Sequence, residues 1–179
     1  DRRRARPVAL TGADPALAAT DGRSENGPLF FDTSVLLAGL IDFGESSVAP
    51  IALLDRVARG EIERPLTAWH CCLELFSVAT RLPEEYRLTP SDAYRLVGEE
   101  VLARFSVHDL PRERRAPLFA DAATDGIAGG RIYDAEIGAV AAAAGANLLV
   151  TGNRRHFVSL LRRGLRVLTA EELLAELTR

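Results

Sequence analysis

The chain contains no lysine and no methionine, and all 22 of its basic side chains are arginine. Without lysine, any mechanism that needs a Lys is excluded, including phosphoacceptor sites that pair an Asp with a Lys. Exclusive arginine does not argue against nucleic acid, because the guanidinium is the better bidentate reader of phosphate. It equally fits a bias in genome composition. There are only two cysteines, Cys71 and Cys72. Adjacent residues do not easily close an ordinary bridge, and two further thiols for a zinc site are missing. They read as reduced helix residues of a cytoplasmic protein. No apolar run reaches the roughly 18 residues of a membrane span, so no membrane partner is expected. No signal peptide is expected either, because the Arg-rich start lacks an apolar stretch behind it. The formal net charge is −3, too small for a global field to select a partner.

What remains is a chain of 179 residues, 47% hydrophobic, enough for one domain with a sizeable core. Residues 1–27 show no clear periodicity and read as a flexible N-terminal extension. Arg2, Arg3, Arg4 and Arg6 could touch nucleic acid there, although a solvated tail explains them as well. From residue 28 to 179 the pattern is regular. Strands are expected at Leu29–Asp32, Ile62–Thr67, Phe105–Leu110, Asn147–Thr151 and Leu165–Leu168. Helices are expected at Ser34–Leu40, Val48–Arg59, Trp69–Leu82, from Pro90 to about Ala103, at Arg112–Ile127, Ile132–Ala144 and Asn153–Arg163, and after the cap signal at Thr169. Alternation of this kind predicts a three-layer α/β/α sandwich around a central, mostly parallel five-stranded sheet.

Three acidic positions stand out, each with a plain structural explanation beside a functional one. Asp32 ends an apolar strand inside Leu29-Phe30-Phe31-Asp32-Thr33-Ser34. It is either a helix cap or a wall of a site at the carboxyl end of a strand, where open α/β sheets bind their ligands. Glu74 lies in the third expected helix. Helical spacing makes Trp69, Cys72, Leu73, Phe76 and Ala79 the core face. Glu74 falls opposite, with His70, Ser77 and Arg81, as a solvated stripe or a cleft wall. Asp134 lies in the first turn of a helix, where the dipole favours an anion. Its face continues through Gly138, Ala141 and Gly145, small residues that predict close packing, while Glu136 points outward to the surface. Thr151-Gly152-Asn153 closes the fourth strand. Asn153 can cap the next helix, serve the site, or do both. Arg154 and Arg155 after it, and Arg131 before Asp134, are candidate phosphate holders.

Three gathered carboxylates cannot all stay ionised without a counter-charge. They protonate or they bind a cation, and oxygen-only ligands suit Mg²⁺ or Mn²⁺ rather than zinc. A hard cation on carboxylates suits phosphoryl chemistry, where it activates a water and neutralises phosphate oxygens. No Ser/His/Asp or Cys/His arrangement competes, and no phosphate-binding Gly-rich motif is present. His70, His108 and His156 lie in different elements without ligand spacing.

Asp32-Thr33-Ser34 after an apolar strand, Glu74 mid-chain, Tyr133-Asp134-Ala135 and Thr151-Gly152-Asn153-Arg154-Arg155-His156-Phe157 together resemble the PIN domain. In size the chain is similar to the VapC-type toxins of toxin–antitoxin pairs. The resemblance spans nearly everything from Leu29 onward. It implies a metal-dependent endoribonuclease with Asp32, Glu74 and Asp134 as Mg²⁺ or Mn²⁺ ligands, Asn153 in place of the frequent fourth acid, and Ser34 and Thr151 in support. One charge fewer implies a single well-held ion. The resemblance also implies an RNA substrate, a cognate antitoxin and a homodimer, with the helices from Val48 to Ala103 as candidates for the dimer surface. Two other readings stand beside it. One is a PIN-like domain that binds RNA or protein without cleaving, motivated by the missing acid. The other is a small-molecule phosphohydrolase with Asp32 as nucleophile, which lacks the customary second Asp two residues on.

Overall fold

A computed structural model describes residues 27–157 and 164–178. The expected extension, apart from Gly27, and the far end of the expected Asn153–Arg163 helix lie outside them. Five strands form one sheet: β1 (Leu29–Phe31), β2 (Pro65–Ala68), β3 (Ser106–His108), β4 (Leu148–Val150) and β5 (Arg166–Leu168). Their order is β3-β2-β1-β4-β5, and every pairing is parallel. Phe30 opposes Leu66 on one side and Leu149 on the other.

Seven α-helices connect and cover the sheet among the described residues. They are α1 (Thr33–Leu40), α2 (Val48–Ala58), α3 (Trp69–Ala79), α4 (Pro90–Leu96), α5 (Arg112–Thr124), α6 (Arg131–Ala143) and α7 (Ala170–Leu177). α4 runs on as a wider π-wound turn to Leu102. Short 3₁₀ turns precede α2 and follow β4. Every residue of β1, β2 and β4 is buried. A strand buried throughout has no solvated face, so helices must cover the sheet on both sides. The fold is therefore the expected three-layer sandwich. Among the described residues, no single helix is long and apolar enough to cross a membrane.

The core centres on β1. Phe30 and Phe31 are completely buried, and each such side chain contributes roughly 2–3 kcal/mol of apolar burial. Phe31 meets Phe105 edge to face, ring centroids 5.4 Å apart. Gly39 in α1 marks the closest helix contact. A Cβ there would lie 2.5 Å from Leu54 Cδ1 and 3.0 Å from the Pro50 carbonyl oxygen. Thr169 and Glu172 form a reciprocal capping box at the start of α7.

Helix α3 departs from expectation. Trp69, Leu73 and Phe76 are exposed, while Cys71, Cys72, Leu75 and Ala79 are buried. The helix is turned by about 100°, one residue's rotation, from the orientation that hydrophobicity alone predicts. Small cysteine and alanine side chains let the helix sit close to its neighbours, where Trp69 and Phe76 would not fit. Two smaller expectations also change. Glu136 is half-buried rather than on the open surface. Gly145 is exposed with a φ of 72°; it ends α6 in a left-handed turn instead of continuing the buried face of Gly138 and Ala141.

Candidate active site

The strand order reverses at β1, since β2 and β3 lie to one side and β4 and β5 to the other. The crevice outside such a switch point is where parallel sheets place ligands. Asp32 follows β1 and Thr151 follows β4, so both stand at that point.

Asp32 is the helix cap, and it stands at the switch point of the sheet. Its Oδ1 accepts the Thr33 backbone N–H at 2.7 Å, which caps α1. Its Oδ2 accepts the hydroxyls of Ser34 at 2.8 Å and Thr151 at 2.7 Å. Each hydroxyl in turn accepts a backbone N–H from the loop after β4. Gly152 donates to Ser34 at 2.9 Å, and Asn153 donates to Thr151 at 3.0 Å. Two relays thus run from the loop to one carboxylate oxygen. A carboxylate offers about four acceptor directions; three are used, and the fourth lies on Oδ1. Burial raises the Asp32 pKa above the ordinary carboxylate value. The three hydrogen bonds oppose that shift, and the charge of Glu74 adds to it.

The rotation of α3 brings Glu74 to the border of the buried face, where it is half-buried rather than solvated. Asp134, in the first turn of α6, is half-buried as well. Burial raises its pKa, His156 and Arg131 pull it down, and Glu74 raises it further. Glu74 is thus within electrostatic reach of both aspartates. The structure therefore couples the three predicted acids electrostatically through Glu74. Among the described residues, however, no group of three His, Cys, Asp or Glu side chains is arranged to hold a metal ion.

Two histidines pair with carboxylates of α6, although their spacing in the sequence carried no signal. His156 Nδ1 lies 2.9 Å from Asp134 Oδ2. The Asn153 side-chain nitrogen rests against the same ring, 2.9 Å from Nε2. His70 Nδ1 lies 3.1 Å from Glu136 Oε2, and its ring meets Tyr133 at a centroid separation of 5.1 Å. The i,i+4 spacing of His70 and Glu74 is the one clue the sequence offered. Of the expected phosphate holders, Arg154 pairs with Glu172 at 2.6 Å. Arg131 and Arg155 are exposed. Burial pushes the Cys71 thiol up to about 12 and the Cys72 thiol up to about 11, so both stay protonated and unreactive near neutral pH. A surface cavity of about 240 Å³ opens elsewhere, between Arg64, Leu66, Arg104 and Ser106.

Residues 29–162 match the family model of the PIN domain. The chain belongs to the PIN domain family. Ribonuclease VapC40 of Mycobacterium tuberculosis is 34% identical over 118 residues, covering 66% of this chain and 81% of the relative. Ribonuclease VapC27 of the same organism is 31% identical over 115 residues, covering 64% and 77%. The crystal structure of Mycobacterium tuberculosis VapC20, a Sarcin-Ricin loop cleaving toxin, superposes with a TM-score of 0.57 at 14% identity, covering 73% of this chain and 94% of that one. At that identity the likeness shows the fold.

Proposed function

We propose that this PIN domain is a metal-dependent endoribonuclease and the toxin of a toxin–antitoxin pair, acting in the cytoplasm on RNA phosphodiester bonds. The reading rests on one observation above all. Asp32 and Asp134 both have raised pKa values, and Glu74 contributes to each shift. Burial and repulsion that favour protonation are the electrostatic conditions under which a cation binds instead. The donor chemistry fits a hard ion, because all three candidate ligands are carboxylates. Two curated relatives named as ribonucleases support the substrate class.

Asp32, Glu74 and Asp134 would hold Mg²⁺ or Mn²⁺, and Asn153 would stand beside them as a neutral donor. When bound, the ion supplies an activated water and neutralises charge on the phosphate oxygens. The chain's own residues prepare that site. Ser34 and Thr151 fix the Asp32 carboxylate and leave one acceptor direction on Oδ1 unused. His156 holds Asp134 in one orientation until substrate or cation competes for it. Arg131 and Arg155 offer charge to the strand's phosphates. A cognate antitoxin and a homodimer belong to the same proposal.

The test is cleavage of total RNA by the purified chain with Mg²⁺, with Mn²⁺ and with chelator, beside the Asp134→Asn variant. Cleavage that stops with chelator and in the variant is the expected result. Undiminished cleavage by a folded Asp134→Asn protein would overturn it. The non-cleaving reading draws on the absence of a pre-arranged three-residue metal group among the described residues. A calorimetric titration that detects neither Mg²⁺ nor Mn²⁺ binding would favour it.

A further inference from the structure

Tyr133 is 54% exposed, although one face of its ring lies against His70. The ring pair spans two helices: His70 is in the first turn of α3, and Tyr133 is in the first turn of α6. Both are tied in sequence to the acids. His70 stands one turn before Glu74, and Tyr133 immediately precedes Asp134. Glu136 holds the imidazole from the side at 3.1 Å, so the backing ring is fixed before anything binds. Trp69, beside His70, is 46% exposed. Arg131 shares the first turn of α6 and lies within electrostatic reach of Asp134. An aromatic face, a fixed backing ring and a nearby guanidinium therefore meet on the two helices that carry Glu74 and Asp134.

We propose that the open face of Tyr133, backed by His70, is a stacking subsite for one unpaired base of a strand lying beside the acids, and that it contributes affinity with or without the bound ion. The inference rests on the ribonuclease reading. A strand whose phosphate lies beside the acids must place its neighbouring base away from them. Proteins hold unpaired RNA bases on aromatic faces. A duplex base keeps both faces covered by its own stack and cannot use the ring, so the subsite selects single-stranded or looped RNA. A purine, with its larger ring, overlaps more of the tyrosine than a pyrimidine does. Preorganisation by His70 and Glu136 reduces the ordering cost of binding.

The experiment measures binding of short single-stranded RNAs carrying 2-aminopurine at successive positions, with chelator present so that no strand is cut. The full chain should quench the fluorophore at one position. Tyr133→Ala should remove that quenching and weaken binding on the order of 10- to 100-fold, the loss expected for one stacked base. Tyr133→Phe, which keeps the face and loses the hydroxyl, should bind like the wild type. An abasic nucleotide at the quenched position should make the wild type and Tyr133→Ala equal, which a merely structural role of the ring would not do. His70→Ala should give a partial loss in the same assay. Unchanged affinity and quenching in a folded Tyr133→Ala protein would overturn the proposal. So would unchanged affinity together with an altered sedimentation coefficient, which would assign the ring to a protein interface. A wild type that binds no RNA would overturn it too. Failure of the ribonuclease reading looks different: RNA is bound and quenched in chelator, yet no strand is cut when Mg²⁺ or Mn²⁺ is supplied.

Discussion

Thr151 donates its hydroxyl to Asp32 Oδ2 at 2.7 Å, across a sequence separation of 119 residues. The bond joins the exits of β1 and β4 and is fully buried on the Thr151 side. Thr151 also accepts the Asn153 N–H, so one hydroxyl positions a carboxylate and a loop together.

Thr151→Val keeps the shape and removes both bonds. A buried charged acceptor left short of a partner costs about 1–3 kcal/mol, and denaturant melts should show a loss of that size. The Asp32 carboxylate loses a hydrogen bond that lowers its pKa, so its titration should move further upward. Thr151→Ser should restore most of both losses. If the valine variant matched the wild type in stability and in RNA cleavage, the relay would carry no weight.

Glu74→Gln separates charge from fold. Glu74 raises the pKa of both aspartates, so the neutral amide should let each titrate lower. Relief of that repulsion predicts a folding stability no lower than that of the wild type. RNA cleavage should nonetheless fall by at least roughly 100-fold, since even residues that only orient a metal's ligands commonly cost 10- to 100-fold. Calorimetric stability and a cleavage time course on the same preparation check both halves.

The architecture was legible because alternating apolar runs and helical periods specify a parallel sheet with little ambiguity. The cap role of Asp32 was legible because an Asp between an apolar strand and Thr33-Ser34 stands where a helix begins. The orientation of α3 was not. Trp69, Leu73 and Phe76 form a more hydrophobic stripe than Cys71, Cys72, Leu75 and Ala79, yet the second stripe is buried. Packing against α1, α4 and β2 decided. Hydrophobic spacing consequently puts Glu74 opposite the core, whereas it lies half-buried at its border. His156 and His70 were invisible for a related reason. Their partners, Asp134 and Glu136, lie 22 and 66 residues away, respectively, and local periodicity carries no information over that span.

Gly39→Ala should destabilise the fold without touching the site chemistry. The added methyl would meet Leu54 Cδ1 at 2.5 Å and Leu54 Cγ at 2.8 Å. Overpacking of this kind costs typically about 1–3 kcal/mol. A second change, Leu54→Val, makes room and should recover part of the loss. Thermal melts of the two single variants and the double variant test the coupling. Additive effects would mean that the methyl is accommodated elsewhere.

The pH dependence of stability has a definite sign at Asp32. Its folded-state pKa lies above its ordinary value of 3.8, chiefly through burial. The folded protein therefore binds this proton more tightly than the unfolded chain. Stability contributed by the protonated form is present at low pH and is lost as pH rises through the window between the ordinary value and the raised one. Asp134 is shifted in the same direction. In Asp32→Asn the first contribution is absent. The stability difference between wild type and variant, measured in chelator, should thus move in the variant's favour as pH climbs above the ordinary carboxylate value of 3.8. Mn²⁺ should reverse the trend for the wild type only, because a bound cation stabilises the ionised carboxylate in the folded state. Parallel melting curves for the two proteins at every pH would show that Asp32 is not strained by burial. An equal Mn²⁺ response in both would show that Asp32 does not hold the ion.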